Sequence, residues 1–445
     1  MNQKQGAHFD RMTEAPVGKL ILSLAVPTVI SMLVNNIYNM ADTFFVSRLG
    51  TSASGAVGIV ATLTLILLTC GLMFGHGAGS LIARALGSGE DQRADTLAST
   101  AFFSALFVGA AVAFLGLLFL SPLMRLLGST ETVLPYAKAY GFYILLAAPF
   151  TVASFVLNNI MRYEGKARLA MVGLTTGAIL NIILDPLFIF GLKMGIHGAG
   201  FSTASSQVIS FFILLYFYVS GKTHCRIAFR SFKPREIPDI LKNGLPTLSR
   251  QGMNMVSSIL LNRSAAVFGD TALAAIAIVN QISNFILSIM IGIGQGYQPF
   301  SGFNYGAGKM DRLKKGYYFT FFLGECVLFT LSVLFFFGAN PIVSAFRDDL
   351  EVVKTGAFML RLSCISLLCQ PYIVCSNMMF QSIGETTRAT FLATTRNGIY
   401  LIPLLLVFPR LFGLTGILLC QPVADILSVL TAVPIVTIFF KKQKQ

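Results

Sequence analysis

The chain has 445 residues, 55% of them hydrophobic and only 12% charged, with a mean hydropathy of +0.73. Polar surface cannot cover so apolar a chain, so composition excludes a soluble globular protein and indicates an integral membrane protein. A formal net charge of +14 invites a nucleic-acid partner, but the placement of that charge, described below, excludes one.

In chain order, twelve apolar stretches of helical length occur, at 17–47, 55–80, 96–119, 136–160, 168–190, 198–219, 237–265, 272–300, 317–338, 353–380, 389–408 and 415–439. Each holds the roughly 20 residues that cross a hydrocarbon core of about 30 Å. Lipid-facing β-strands would read as segments of about ten residues with period two, and no such pattern is present. No small-residue cleavage site follows a short apolar core at the N-terminus, so the first stretch is expected to be a retained helix. The loops that alternate to one side, both termini included, carry 22 of the 33 Lys and Arg residues, and those on the other side carry seven. This asymmetry predicts a cell (cytoplasmic) membrane protein with both termini in the cytoplasm, and anionic lipid headgroups as the partner of the basic charge. Six of the seven cysteines lie in apolar stretches and none forms a CxxC pair, so they read as small buried hydrophobes.

The chain repeats itself. At one constant offset Pro27 meets Pro246, Gly50 meets Gly269, Gly75 meets Gly294, Gly77 meets Gly296, Gly87 meets Gly306, Gly89 meets Gly308, Pro122 meets Pro341 and Gly165 meets Gly384. Chance would supply roughly two such coincidences. The expected fold is therefore all-α: twelve transmembrane helices in two parallel-repeat six-helix lobes, 1–219 and 237–445, joined by a basic cytoplasmic linker at 220–236. Gly71, Gly75 and Gly79 in the second span, and Gly292 and Gly296 in the eighth, have the GxxxG spacing that lets helices approach closely, whether as fixed packing or as a sliding surface. Pro27 and Pro246 are candidate kinks.

Four acids lie within spans: Asp42, Asp185, Glu325 and Asp425. An ionisable group at hydrocarbon depth is costly and marks a functional site by default. Asp42 precedes Arg48 by about 9 Å of helical rise and Asp185 precedes Lys193 by about 12 Å, which puts both carboxyls at similar depth in the outer half of the first lobe. Asn181 lies four residues before Asp185 on the same face, and Thr203 reaches a comparable level on the sixth span. Two carboxyls, an amide and a hydroxyl at one depth could hold a small hard cation through oxygen, or exchange protons. They could equally staple spans one, five and six as a static polar knot. Glu325 and Asp425 lack such company and read as structural, or as partners of Arg361 or Arg396. Arg250 and Arg263 lie near helix ends and read as snorkelling. Arg361 and Arg396 lie deeper and, facing a cavity, would favour an anionic substrate. No GxxxxGK[ST] phosphate loop and no HExxH is present, so neither an ATP-driven pump nor an enzyme with a bound cofactor is expected. The four histidines, His8, His76, His197 and His224, are scattered.

Five segments together resemble the multidrug and toxic compound extrusion (MATE) transporters, within the DinF- and MepA-like bacterial branch. They are ADTFFVSRLG at 41–50, GAGSLIARALGSG at 77–89, NNIMRYEGKARLAM at 158–171, NIILDPLFIFG at 181–191 and QPFSGFNYGAGK at 298–309. The resemblance covers essentially the whole chain. It implies export of amphipathic, often cationic, drug-like compounds against an inward flow of H+ or Na+, by a monomer that uses no cofactor. It carries the coupling site onto Asp42, Asn181, Asp185 and Thr203, with Asn35 on the same helix as Asp42, and makes Na+ at Asp42 and Asp185 the one metal to expect. It also implies a polar partner from the fourth span, for which Ser154 and Asn158 both qualify. The branch resembling NorM uses acids in helices seven and ten; here helix seven offers Asn254 and Asn262 and helix ten offers Asn377, so a second-lobe cation site is not expected. Asn254, Gln281, Asn377, Arg361 and Arg396 remain candidate cavity-lining residues. The rival reading is a flippase or exporter of a lipid-linked or anionic substrate, supported by the intramembrane arginines.

Overall fold

Hydrocarbon offers no partner for backbone N–H and C=O groups, so a chain this apolar must satisfy them within helices. The computed structural model describes residues 3–347 and 349–443, and no strand occurs among them. The helices are α1 (Gln3–Glu14), α2 (Val17–Ser47), α3 (Thr51–Gly87), α4 (Asp91–Leu118), α5 (Leu120–Leu126), α6 (Leu134–Tyr163), α7 (Ala167–Pro186), α8 (Ile196–Val219), α9 (Ile237–Ala266), α10 (Asp270–Gly306), α11 (Met310–Phe337), α12 (Ala339–Ser344), α13 (Leu350–Leu367), α14 (Gln370–Ile383), α15 (Thr386–Thr394) and α16 (Leu401–Lys442).

Among the described residues nine helical segments are each long and apolar enough to cross a membrane, and α13 with α14, bent by 47°, makes a tenth crossing. Two further crossings complete the twelve. The 57 residues Thr386–Lys442 count once as a continuous helix, yet at 1.5 Å per residue they would run about 85 Å, more than twice the hydrocarbon thickness. Gly413, at φ 60° and ψ −139°, ends one crossing and starts the next. In α9 the side chains of Asp239, Lys242, Arg250 and Arg263 thin the apolar surface, although its 30 residues span about 45 Å.

Packing groups the chain into two units. One is Ile30–Gly244 with the N-terminal piece that ends at Asp10, and the other is Arg11–Val29 with the chain from Leu245 onward. The division thus falls inside α2 and α9, next to Pro27 and Pro246, and not in the basic segment 220–236. Close glycine contacts produce it. In the first unit a Cβ at Gly77 would lie 2.1 Å from the Ile240 carbonyl oxygen, so the start of α9 packs there; in the second, a Cβ at Gly296 would lie 2.4 Å from Ala25 Cα, so the start of α2 packs there.

Within the first unit the GxxxG row of α3 lies against α6. Added Cβ atoms at Gly71, Gly75 and Gly79 would come within 2.7 Å of Phe155, 2.8 Å of Asn159 and 2.1 Å of Tyr163. The repeat recurs in the bonding. The Asn158 side chain donates to the Ala170 carbonyl at 2.8 Å, and its counterpart in the second copy, Asn377, donates to the Ala389 carbonyl at 2.6 Å.

The segment 220–236 is tied to the first unit by side chains that accept its backbone N–H groups. Glu164, fully buried, accepts from His224 at 2.8 Å and Cys225 at 3.3 Å, and Asp95 accepts from Arg226 at 2.7 Å. The His8 and His224 rings lie 3.9 Å apart. Burial pushes the Glu164 carboxyl up to about 7, against the pull of its hydrogen bonds, and burial with nearby Lys166 brings His224 down to about 4. All seven cysteines are free, and Cys326 is exposed on α11 rather than buried.

Two outcomes follow. Gly79→Ala destabilises the protein by about 1–3 kcal/mol, as overpacking does, whereas Gly58→Ala, with nothing within 4 Å of the added Cβ, leaves the thermal midpoint in place. A carboxyl whose folded-state pKa is raised favours the fold below its unfolded value of 4.5 and loses that contribution as pH rises to about 7. Glu164→Gln therefore gains on wild type by up to about 3 kcal/mol between pH 5 and pH 8. His224 works in the opposite sense, favouring the fold above 6.5 and losing that contribution toward about 4, but it is common to both proteins and cancels. A Glu164→Gln stability difference that is constant with pH in thermal unfolding would contradict this.

Candidate functional site

The polar residues singled out in the first repeat converge. Asn35 and Asp42 lie seven residues apart on α2, Asn181 and Asp185 four apart on α7, and Thr203 lies on α8; these spacings each keep a helix's residues on one face. Asp42 is 8% exposed, Asp185 0%, Asn181 1% and Thr203 2%. The two carboxyl groups meet each other within hydrogen-bonding reach. Among the described residues no donor reaches Oδ1 of either one.

Their surroundings are built from short polar side chains. With its nitrogen facing Asp185, the Asn181 amide donates to Oδ2 at 2.9 Å, and its oxygen accepts from both the hydroxyl and the backbone N–H of Thr203 at 3.2 Å. The opposite orientation would set two acceptors against each other. Tyr140 on α6 lies 3.4 Å from the Thr203 hydroxyl, and Tyr38, between Asn35 and Asp42 on the same face of α2, lies near the same threonine. Past Pro186 the helix widens into a π-turn at Leu187–Gly191, a local geometry common beside functional sites.

A small cavity of about 70 Å³ opens beside this cluster, lined by Asn35, Tyr38, Thr151, Ser154, Asn181, Thr203, Ser206 and Gln207 among others. Gly177 makes room for it, since a Cβ there would press to 2.9 Å from Ser210 Cβ, so α7 and α8 come close. The alternatives for the fourth span separate here. Ser154 lines the cavity with its hydroxyl unpartnered, whereas Asn158 gives its amide to the Ala170 carbonyl. The sequence pattern does not single out Tyr38, Tyr140, Thr151 or Gln207. Tyr38 is findable, because it falls on the face that Asn35 and Asp42 define; Thr151 and Gln207, which bond each other across α6 and α8, are not adjacent by any sequence spacing.

The candidates of the second repeat do not form a comparable cluster. Arg396 binds Asp425 at 2.7 Å, with Gln421 donating to the same carboxyl oxygen at 3.2 Å. Asn377, expected to line a cavity, is buried, and its amide is taken up by Arg250 at 3.1 Å and the Ala389 carbonyl. Arg250 is accordingly a bonded residue and not a snorkelling one. Arg361 donates to the Phe336 carbonyl at 3.4 Å and covers that ring. Asn254 accepts from Asn397 at 3.3 Å, Gln281 is exposed on α10, and Glu325 is half-buried on α11. His76, on α3, contacts buried Arg162 at 3.3 Å.

The model of the MatE family matches residues 27–187 and then again 246–407, the second match beginning at Pro246, the repeat counterpart of Pro27. The chain belongs to the MatE family. The chain is similar to the multidrug export protein MepA of Staphylococcus saprophyticus, 27% identical over 446 residues, which cover 98% of this chain and 96% of that protein. MepA of Staphylococcus aureus is 27% identical over 441 residues with the same coverage. Among solved structures, a crystal structure of MATE in complex with MaL6 is 25% identical, covers 98% of both chains and superposes with a TM-score of 0.93. An outward-facing conformation of a multidrug resistance MATE family transporter of the MOP superfamily, also 25% identical with 98% of both chains covered, gives 0.92. As a MatE protein the chain is a multi-pass membrane transporter rather than an enzyme.

If Asn158 is a structural tie and Ser154 a site residue, Asn158→Leu lowers thermal stability by about 1 kcal/mol through loss of the interhelical hydrogen bond to the Ala170 carbonyl. Ser154→Ala keeps wild-type stability and alters the response of transport to ion gradients. Thermal unfolding and gradient-driven dye efflux on the same preparations check both.

Proposed function

We propose that this protein expels amphipathic, cationic organic compounds from the cell in exchange for H+ or Na+, by alternating exposure of its first-lobe site to the two sides of the membrane. The observation that carries this reading is the contact between Asp42 and Asp185 with no donor at either Oδ1. Two carboxyl groups in contact in a nearly dry site cannot both stay ionised without a counter-charge, and a proton between them or a small cation on their oxygens supplies it. The Asn181 amide, the Thr203 and Ser154 hydroxyls and the tyrosine pair are oxygen ligands and proton-path groups of the kind either ion uses. The adjoining cavity sets apolar side chains such as Phe155 and Leu174 among its polar ones, a mixed lining of the kind that small organic molecules occupy.

Coupling then needs only that the ion and the drug favour different orientations of the transporter, since a ligand shifts an equilibrium by its difference in affinity for the two states. One charge moving down 100 mV supplies about 2.3 kcal/mol, and each pH unit about 1.4. One or two ions are enough to concentrate a neutral or monocationic drug substantially. The MepA relatives are named as multidrug export proteins, which supports a broad range of small organic substrates. The rival with an anionic or lipid-linked substrate keeps less support, because Asp425 neutralises Arg396 and leaves Arg361, bonded to a carbonyl and a ring, as the charged candidate.

The test is efflux of a fluorescent cationic dye from proteoliposomes under separately imposed proton and Na+ gradients. Wild type is expected to respond to one of the two gradients. Asp42→Asn is expected to fold and to lose at least tenfold of that response. Undiminished, gradient-driven efflux by Asp42→Asn would show that the carboxyl pair is a static knot.

A further inference from the structure

The second lobe holds its own fully buried acid, and the repeat shows what has happened to it. At the offset that sets Pro27 on Pro246, Asp42 and Asp185 fall on Leu261 and Leu404. Both leucines pack on an apolar cluster of Leu401, Leu405, Cys420 and Ala424. The last span of each copy follows a slightly shorter offset, the one that sets Gly195 (φ 57°) on Gly413 (φ 60°) and Gly198 on Gly416. With these two offsets, two residues that line the first-lobe cavity, Gly177 and Gln207, become Arg396 and Asp425 in the second lobe. Asp425 has no exposed surface. It takes Arg396 Nε at 2.7 Å and Gln421 Nε2 at 3.2 Å on Oδ1, while Oδ2 has no donor. An isolated carboxylate in such a place would be untenable without a positive charge.

We propose that Arg396 is a tethered counter-cation for Asp425: a guanidinium built into the second lobe at positions whose first-lobe counterparts line the cavity beside the acid pair, so that only the first lobe exchanges ions. This inference rests on the reading of Asp42 and Asp185 as the coupling site. A guanidinium keeps its charge at any pH the cell reaches and cannot leave. It therefore satisfies Asp425 through every step of the cycle, and no gradient can do work there. Breaking such a pair from the basic side strands the acid, and Asp425 must then recruit a proton or Na+. The ionisable groups within electrostatic reach of Cys369 at this place are Asp425, Glu325 and Arg396, so Glu325 and Cys369 are the other candidates to titrate.

The experiment counts bound cations on the purified full-length protein, with radioactive Na+ and with proton uptake followed by a pH indicator. Asp42→Asn silences the first lobe. Adding Arg396→Gln to it is expected to restore one bound cation per chain, which disappears again on adding Asp425→Asn, persists on adding Glu325→Gln or Cys369→Ala, and is absent when Arg396→Lys replaces Arg396→Gln. Folded Asp42→Asn, Arg396→Gln protein that gains neither ion overturns the proposal, as does a gain that survives Asp425→Asn. Should Arg396→Gln fail to fold while Arg396→Gln with Asp425→Asn folds, acid or Na+ is expected to recover the single variant, and recovery by neither overturns the proposal. Wild-type ion binding by Asp42→Asn alone would instead sink the coupling role of the first lobe. The Arg396 comparison, made in parallel on otherwise unaltered protein and judged by its Asp425→Asn control, is then still read.

Discussion

A carboxyl group buried among membrane-crossing helices has to be neutralised, and the two lobes surround theirs in two different ways. In the first lobe Asp42 and Asp185 stand against each other, with an amide and hydroxyls for company and no fixed cation. In the second lobe Asp425 stands against a guanidinium. Burial makes neutralisation necessary in both, because a carboxylate taken out of water loses its hydration. A pair of acids is an incomplete arrangement that an ion can complete. An acid with an arginine is complete already.

Close approach of helices shapes the lobe that holds the acid pair. Carboxyls on two different helices meet only if the backbones come near, and the first unit is drawn together by its glycines. The α3 row sits directly on Phe155, Asn159 and Tyr163 of α6, and Gly173 and Gly177 bring α7 onto α8. Apolar burial gives little drive to helix association inside a lipid layer, so shape fit and interhelical hydrogen bonds such as Asn158 to Ala170 carry more of it. The same devices recur in the second unit, at Gly294 against Met378 and at Asn377 on Ala389. Duplication thus preserved the scaffold while the polar contents of the two lobes diverged.

The ends of α2 and α9 add a second layer of organisation. Each helix begins in one unit and finishes in the other, changing over next to a proline that lacks the N–H of a regular helical turn. Asp42 lies on the part of α2 that belongs to the first unit, fifteen residues past Pro27. The Asp42 carboxyl and the changeover therefore share one helix.

Much of this was legible in the residues. The twelve apolar stretches and the internal repeat needed only the bilayer's thickness and one constant offset between like residues. Asp42, Asn181, Asp185 and Thr203 were placed at one depth by counting helical rise from the basic residues beyond them, which works because a spanning helix has a known length and direction. Rise gives depth and says nothing of azimuth. Which face of each helix turns toward its neighbour is set by side-chain packing between segments far apart in the chain. For that reason only the tertiary structure separated Ser154 from Asn158, added Tyr140 and Gln207 to the cavity's surroundings, took Asn377 and Arg250 out of them, and matched Arg396 with Asp425 across a helix break. The sequence by itself determined that the chain is a set of membrane-crossing helices written as two copies, and which polar residues lie within its spans. The fold decided which charges meet, since contact depends on rotation about each helix axis, and that rotation is an outcome of glycine-mediated packing that no single segment encodes.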